Sequence, residues 1–149
     1  MKTVWILNHY AQEPGGPGGT RHYSLAKNMR RHGWRGIVIA ASVELNTGRQ
    51  RLGCGDATKL CQYDGVDFLW VRTPTRRGNE HGRISNMLSY AVRAVIPRTT
   101  RLLPRPDVIV GSSVHPFAAW AGAMLATRFA GPFDVEVPEM WQQTRVDME

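Results

Sequence analysis

The amino-acid sequence predicts an α/β protein built on a Rossmann-like, doubly wound parallel sheet. Short apolar segments alternate with segments of helical spacing, which is the pattern of repeated strand–helix–strand units. The apolar segments are uninterrupted, as expected for strands that are buried on both faces of a parallel sheet. The length of 149 residues, with 42% hydrophobic residues, predicts one domain that spans residues 1–149.

The first strand and helix enclose a glycine-rich segment at residues 9–19. Residues 2–8 predict a buried strand, and the helix begins after Thr20, which is a suitable N-cap, and ends at Gly33. Spacing of i, i+3, i+4 and i+7 predicts an inward-facing stripe made of His22, Leu25, Ala26 and Met29. A glycine-rich turn before a helix start is where α/β proteins bind phosphate groups.

The rest of the chain repeats this alternation. Further strands are predicted at residues 36–41, 66–71, 107–111 and 133–137. Apolar residues from Ile84 to Val95 recur at helical spacing until Pro97 ends the helix. The segment 117–129 is apolar nearly all round, which predicts a well-buried helix. Residues 42–64 show no clear period and predict a long loop.

The charge of the chain is unevenly distributed. Nineteen Lys and Arg against twelve Asp and Glu give a net charge of +7, and the arginines concentrate in residues 72–105, where Glu80 alone opposes them. Such a surface serves anionic lipid, nucleic acid or a phosphorylated substrate, or is simply a solvated face. Nucleic acid ranks last, because no known nucleic-acid-binding motif accompanies the charge.

The compartment predicted from the sequence is the cytoplasm. No apolar segment approaches the roughly 18 residues of a membrane span, and no secretory signal is recognisable. Cys54 and Cys61 are expected to be reduced thiols in a surface loop. No CxxC motif or group of histidines indicates a metal site, so no metal is predicted.

The glycine-rich segment does not fit the dinucleotide fingerprint. Arg21 stands at the third glycine position, and the strand at residues 36–41 ends without the acidic residue that binds a ribose. No glycine is followed by lysine and a hydroxyl residue, so there is no P-loop. A nicotinamide cofactor is therefore not expected.

Arg21 is unusual in the first turn of a helix. A cation there opposes the helix dipole by a few tenths to about 1 kcal/mol unless an anion lies nearby. Two interpretations weigh equally. In one, Arg21 and the loop amides share a phosphate or acidic ligand. In the other, Arg21 pairs with Glu13 or with the acids of the strand at residues 133–137.

A ligand site is predicted where the parallel strands end, because ligands of doubly wound sheets bind at that edge. Ser112, Ser113 and His115 follow the fourth predicted strand, and His115 is suited to hydrogen bond a sugar or phosphate or to polarise a hydroxyl. Glu136 and Glu139 form a candidate carboxylate pair, for which pairing with arginines is favoured over general-base catalysis.

Several segments in the same order resemble the N-terminal, acceptor-side domain of family-4-type glycosyltransferases of the GT-B fold, of the bacterial surface-polysaccharide type. Two of them read Glu-Pro-Gly-Gly-Pro-Gly-Gly-Thr-Arg and Asp-Val-Ile-Val-Gly-Ser-Ser-Val-His-Pro-Phe-Ala. The segments that carry the resemblance are residues 8–10, 13–21, 65–68, 72–74, 86–89, 106–118 and 136–141. The resemblance implies one half of a GT-B fold, with the C-terminal donor-binding domain missing or supplied by a separate chain.

The resemblance also implies an activity. This is transfer of a hexosyl group, with retention, from a UDP- or GDP-sugar to a glycan or lipid-linked acceptor, with no cofactor besides the donor substrate. The catalytic candidates are then His115 and Glu139. The candidates for binding the donor phosphates are Gly15, Gly16, Gly18, Gly19, Arg21, Ser112 and Ser113. The basic stretch would then face an anionic membrane, as a peripheral protein on its inner face. The alternative is a non-catalytic nucleotide- or partner-binding Rossmann-like module.

Overall fold

The computed structural model describes residues 1–15, 20–44, 47–74, 80–112 and 116–136. The strands in these ranges are β1 (Lys2–Leu7), β2 (Trp34–Ala41), β3 (Thr58–Tyr63), β4 (Val66–Val71), β5 (Val108–Ser112) and β6 (Phe133–Glu136). The helices are α1 (Arg21–Arg30), α2 (Glu80–Val95) and α3 (Pro116–Phe129).

The strands form one sheet in the order β3-β4-β2-β1-β5-β6. Every neighbouring pair is parallel except β3 and β4, which are antiparallel. After β1, the chain forms β2, β3 and β4 on one side of β1 and then β5 and β6 on the other side. The predicted α/β class with a Rossmann-like, doubly wound sheet is confirmed, and the strand order reverses between β1 and β5.

Helices cover the two faces of the sheet unequally. Alternate residues of β1 and β2 point to opposite faces, so Ile6 and Val38 pack under α1 while Leu7 and Ile39 belong to the core beneath α2 and α3. Gly36 lets α1 approach β2 closely, because a Cβ built there would lie 2.6 Å from the Cβ of Ala26. Of the three helices in the described ranges, α1 therefore lies on one face of the sheet and α2 and α3 lie on the other.

The edge strand β3 lies in the segment that the sequence predicts as a loop. Its residues are half-buried or exposed, so the strand lacks the apolar signal that marks β1 and β4. The signal that would have revealed it is the Asp64-Gly65 turn, where both residues have positive φ angles of 50° and 83°. An Asp-Gly pair between two extended segments is typical of a tight hairpin.

The predicted apolar helix faces are only partly buried. In α1, His22 and Ala26 of the predicted stripe are buried and Met29 is half-buried, but Leu25 is exposed and Tyr23, outside the stripe, is buried. In α3, predicted to be well buried, Trp120 and Met124 are exposed. The physical reason is that each helix contacts the sheet along one side, and its apolar composition does not determine which side that is. In the described part of the chain no helix is long and apolar enough to cross a membrane.

Candidate functional site

A group of polar side chains meets at the carboxyl ends of β1, β5 and β6, beside the first turn of α1. We call it the switch-point cluster, and its members are Asn8, Arg21, His22, Ser112 and Glu136. Asn8 directly follows β1, Ser112 and Glu136 are the last residues of β5 and β6, and α1 begins at Arg21. Parallel pairing of the strands brings these distant residues to one edge of the sheet.

Asn8 is the central hydrogen-bonding residue of the cluster. Its Oδ1 accepts the backbone N–H of Tyr10 at 2.8 Å. Its Nδ2 lies 3.1 Å from Nδ1 and 3.0 Å from Nε2 of His22 and donates to Oγ of Ser112 at 3.3 Å. Asn8, His22 and Ser112 are all buried. These contacts hold the exits of β1 and β5 against the start of α1.

The imidazole of His22 lies between an amide and a carboxylate. Its Nε2 is 2.9 Å from Oε2 of Glu136, and a ring that carries a proton on Nε2 donates to this carboxylate. The other oxygen of Glu136, Oε1, forms an ion pair with Nη2 of Arg21. The carboxylate therefore contacts both the imidazole of His22 and the guanidinium of Arg21.

The ion pair with Glu136 matches one of the two interpretations of Arg21. Thr20 is the N-cap residue of α1, as predicted, but its side chain makes no cap hydrogen bond, and the first turn of α1 contains no acidic residue. Glu136 supplies the anion that a cation near the positive end of the helix requires. The side chain of Arg21 is nevertheless 56% exposed, so part of it is accessible to solvent.

Glu13, the other predicted partner of Arg21, binds different arginines. Its Oε2 accepts Nη2 of Arg51 at 2.9 Å, and its Oε1 accepts Nε of Arg51 and Nη2 of Arg49, both at 3.2 Å. Burial raises the pKa of the Glu13 carboxyl, but the hydrogen bond and charge of Arg51, aided by Arg49, outweigh it and leave this pKa below its ordinary value. Glu13 is therefore a charged structural acid.

The loop after β1 is fixed on its other side to α2. Nε2 of His9 forms a hydrogen bond with Oδ1 of Asn86, and Nδ2 of Asn86 donates to the carbonyl of Pro74 at 2.8 Å. Burial raises the pKa of the Tyr10 hydroxyl, and the positive charge of Arg83 partly opposes this. The loop thus has buried polar anchors on both faces of the sheet.

The described residues include part of the predicted site. Arg21 and Ser112 are brought together in the switch-point cluster, and Gly15 lies in the loop after β1 with a φ of 84°. The other predicted site residues, which lie outside the described ranges, are Gly16, Gly18, Gly19, Ser113, His115 and Glu139. Their predicted roles stay predictions, as does the proximity of the glycine-rich loop to His115.

Asn8 and His22 are functional candidates that the sequence does not single out. The sequence predicts Asn8 as the end of a strand and His22 as a member of a helical stripe. The sequence signal that could have identified them is a polar residue directly after a buried strand, followed by a histidine on the inward side of the next helix. Glu136 pairs with an arginine, as the favoured interpretation predicts. Among the described residues, no group of His, Cys, Asp and Glu could hold a metal ion.

No protein-family model and no curated protein matches this chain. Among solved structures, the SurE protein from Aquifex aeolicus is similar over 99% of this chain, with 13% sequence identity and a TM-score of 0.44. The chain spans 58% of the length of that protein.

These findings contradict the resemblance to the N-terminal domain of family-4-type GT-B glycosyltransferases. No model of that family matches, and the structural neighbour is a SurE protein rather than a glycosyltransferase. The physical reason is that glycine-rich turns and polar strand exits arise wherever a parallel sheet meets a helix start, so they indicate the fold and not one family. At a TM-score of 0.44, the similarity to SurE assigns no function either.

The pair between Arg21 and Glu136 is expected to stabilise the fold. Replacing Glu136 by Gln removes the anion at the start of α1, and we expect a loss of about 1 to 2 kcal/mol in the free energy of unfolding. A double-mutant cycle with Arg21→Ala, followed by urea unfolding, measures the coupling between the two side chains. Strictly additive effects of the two substitutions would contradict a direct interaction.

The lowered pKa of Glu13 predicts acid sensitivity. The folded state favours the charged carboxylate of Glu13. The contribution of Glu13 to the free energy of unfolding is therefore complete above the pKa of the unfolded chain, about 4.5, and is lost as the pH falls through the lower pKa of the folded state. The Glu13→Gln variant should be less stable than the wild type at pH 7, and the difference should shrink below pH 4.5. Urea unfolding between pH 7 and pH 3 tests this, and two parallel stability curves would refute it.

Proposed function

We propose that this chain is a nucleotide-binding α/β unit whose switch-point cluster holds the phosphate or sugar end of a nucleotide or nucleotide sugar. The observation that carries the proposal is the convergence of five polar side chains where the strand order reverses. In open α/β sheets the loops on the two sides of this point diverge and leave a crevice, in which ligands bind.

The chemistry of the cluster suits such a ligand. The buried Asn8 and Ser112 position the ends of β1 and β5, and Arg21, whose side chain is 56% exposed, is the member of the cluster that can contact a phosphate. The guanidinium of Arg21 has five N–H donors, so its pair with Glu136 leaves donors for a phosphate. The sequence adds support, because a glycine-rich segment precedes the start of α1 and glycine lets backbone amides approach a phosphate closely.

Hexosyl transfer from a UDP- or GDP-sugar to a glycan or lipid-linked acceptor stays a prediction from the sequence, as does a separate donor-binding domain. Its catalytic candidates, His115 and Glu139, lie outside the described residues. A non-catalytic binding module requires neither of them. The proposed nucleotide binding is common to both hypotheses, and hydrolysis or transfer of a bound nucleotide sugar would distinguish them.

We also propose that the chain associates peripherally with an anionic membrane surface. The observation that favours this is an exposed apolar stripe on α2, where Ile84, Leu88 and Val92 follow one another at intervals of four residues and are 52%, 47% and 46% exposed. Trp120 and Met124 are also exposed on α3, which packs beside α2. Exposed apolar residues grouped in this way mark contact sites.

The charges in and after α2 indicate anionic lipid as the contact. Residues 83–105 contain no acidic residue. The exposed arginines in this range, one in α2 and three after it, are Arg83, Arg98, Arg101 and Arg105. A helix with an exposed apolar face and nearby arginines in the sequence is typical of the membrane interface, where each basic residue adds about 1 kcal/mol of attraction to anionic lipid.

Nucleotide binding can be tested by calorimetry with UDP, GDP and inorganic phosphate. We expect Arg21→Ala to weaken binding at least fivefold, because a charge-assisted hydrogen bond to phosphate is lost. Arg35→Ala is the matched control, since Arg35 is also half-exposed and ion-paired, to Asp67, but lies at the start of β2 on the opposite edge of the sheet. Equal affinities of the Arg21→Ala variant and the wild type would overturn the proposal.

Membrane association can be tested by sedimentation with vesicles of phosphatidylcholine alone and of phosphatidylcholine with phosphatidylglycerol. We expect binding to the anionic vesicles only, and a severalfold loss when Leu88 and Val92 are both replaced by Ser. Leu25→Ser is the control, because Leu25 is an exposed leucine of α1 on the other face of the sheet. Equal binding to both vesicle types would refute the role of anionic lipid.

A further inference from the structure

A cavity of about 240 Å³ lies on the α1 face of the sheet, over β3 and β4. It exists because the connection from β2 to β4 contains a strand, β3, instead of a helix that would cover this part of the face. The side chains that line it are Glu13, Arg49, Gln50, Arg51, Lys59, Cys61, Tyr63 and Trp70. None of them belongs to the switch-point cluster.

The wall of the cavity is rigid around Arg51. This side chain is only 7% exposed, and Glu13 binds it through both carboxylate oxygens. Its Nη1 donates to the carbonyl of Ser42, and its guanidinium carbon lies 4.3 Å from the ring centroid of Trp70. A guanidinium held by carboxylate, carbonyl and indole contacts has little freedom to move.

The charges around the cavity do not balance. Glu13 and Glu44 lie within 4.0 Å of the guanidinium groups of Arg49 and Arg51, so these four charges offset one another. Lys59 forms no ion pair within the part of the chain that the structure describes, and its neighbour on β4 is Trp70. The cavity thus carries an excess positive charge at its exposed rim, where Arg49 is 63% exposed.

We propose that this cavity binds a small molecule with an oxyanion group, a carboxylate or a phosphate monoester, and a compact ring. The oxyanion lies between Lys59 and Arg49, and the ring lies against Tyr63 and Cys61. The volume of about 240 Å³ is smaller than the roughly 300–1,000 Å³ of sites for larger ligands, which limits the occupant to a single-ring compound. Burial raises the pKa of the Tyr63 hydroxyl, so this ring stays neutral and does not repel the anion.

The chain contains its own reporter for this cavity, because it has two cysteines and one of them, Cys61, lines the cavity. Cys54 is exposed outside it. In the Cys54→Ser variant, the alkylation rate by iodoacetamide reports access to Cys61 alone. The Cys61→Ser variant reports access to Cys54 and is the matched control.

We expect phenyl phosphate or benzoate to slow alkylation of Cys61 at least threefold and to leave Cys54 unaffected. The more protective of the two identifies the oxyanion. Benzyl alcohol, which has the ring without the charge, should not protect. Lys59→Gln should abolish the protection, whereas Lys2→Gln, at the start of β1, should retain it.

Two results would overturn the proposal. One is an unchanged alkylation rate of Cys61 with both anions at millimolar concentration. The other is equal protection in the Lys59→Gln variant or by benzyl alcohol, which would indicate an apolar site. Failure of the cavity proposal would not contradict nucleotide binding at the switch-point cluster, because the Arg21→Ala variant tests that binding separately.

Discussion

Parallel pairing of β1 with both β2 and β5 is the constraint from which the rest of the structure follows. It makes β1 the centre of the sheet and brings the carboxyl ends of strands far apart in sequence to one edge. The helices that come after these strands, α1 after β1 and α3 after β5, lie on opposite faces of the sheet, so the ends of the two strands lie side by side between them. The buried contacts of Asn8 with His22 and Ser112 are a direct consequence.

The ion pair between Arg21 and Glu136 shows how a local cost is offset by tertiary structure. The first turn of α1 has a cation and no acid of its own, which its dipole disfavours. Strand β6, more than a hundred residues along the chain, brings the carboxylate to it. Stability of the helix start and the shape of the proposed ligand site therefore depend on the same side chain.

Unequal coverage of the two sheet faces explains the other surfaces. On the face with α2 and α3, the outer sides of these helices keep exposed apolar residues such as Leu88 and Trp120. Among the described residues the opposite face carries only α1, because the connection from β2 to β4 forms the strand β3. The open area over β3 and β4 becomes a cavity that Arg51 and Glu13 line with charge.

The sequence by itself determined the α/β class, the buried strands and the approximate helices, because uninterrupted apolar segments and helical spacing are local signals. It also indicated the edge where polar residues meet and the pairing of Glu136 with an arginine. Edge strand β3 was not predicted, because a half-exposed strand has no apolar pattern and this one is defined by its pairing with β4.

Tertiary structure alone decided which groups meet. Arg21 pairs with Glu136 and not with Glu13, and Asn8 contacts both His22 and Ser112. The strand order and the position of α1 on the sheet determine these distances, and no local sequence pattern contains them. The family resemblance was wrong for a related reason. Its motifs lie at turns that every doubly wound sheet requires, so they follow from backbone geometry and not from a shared reaction.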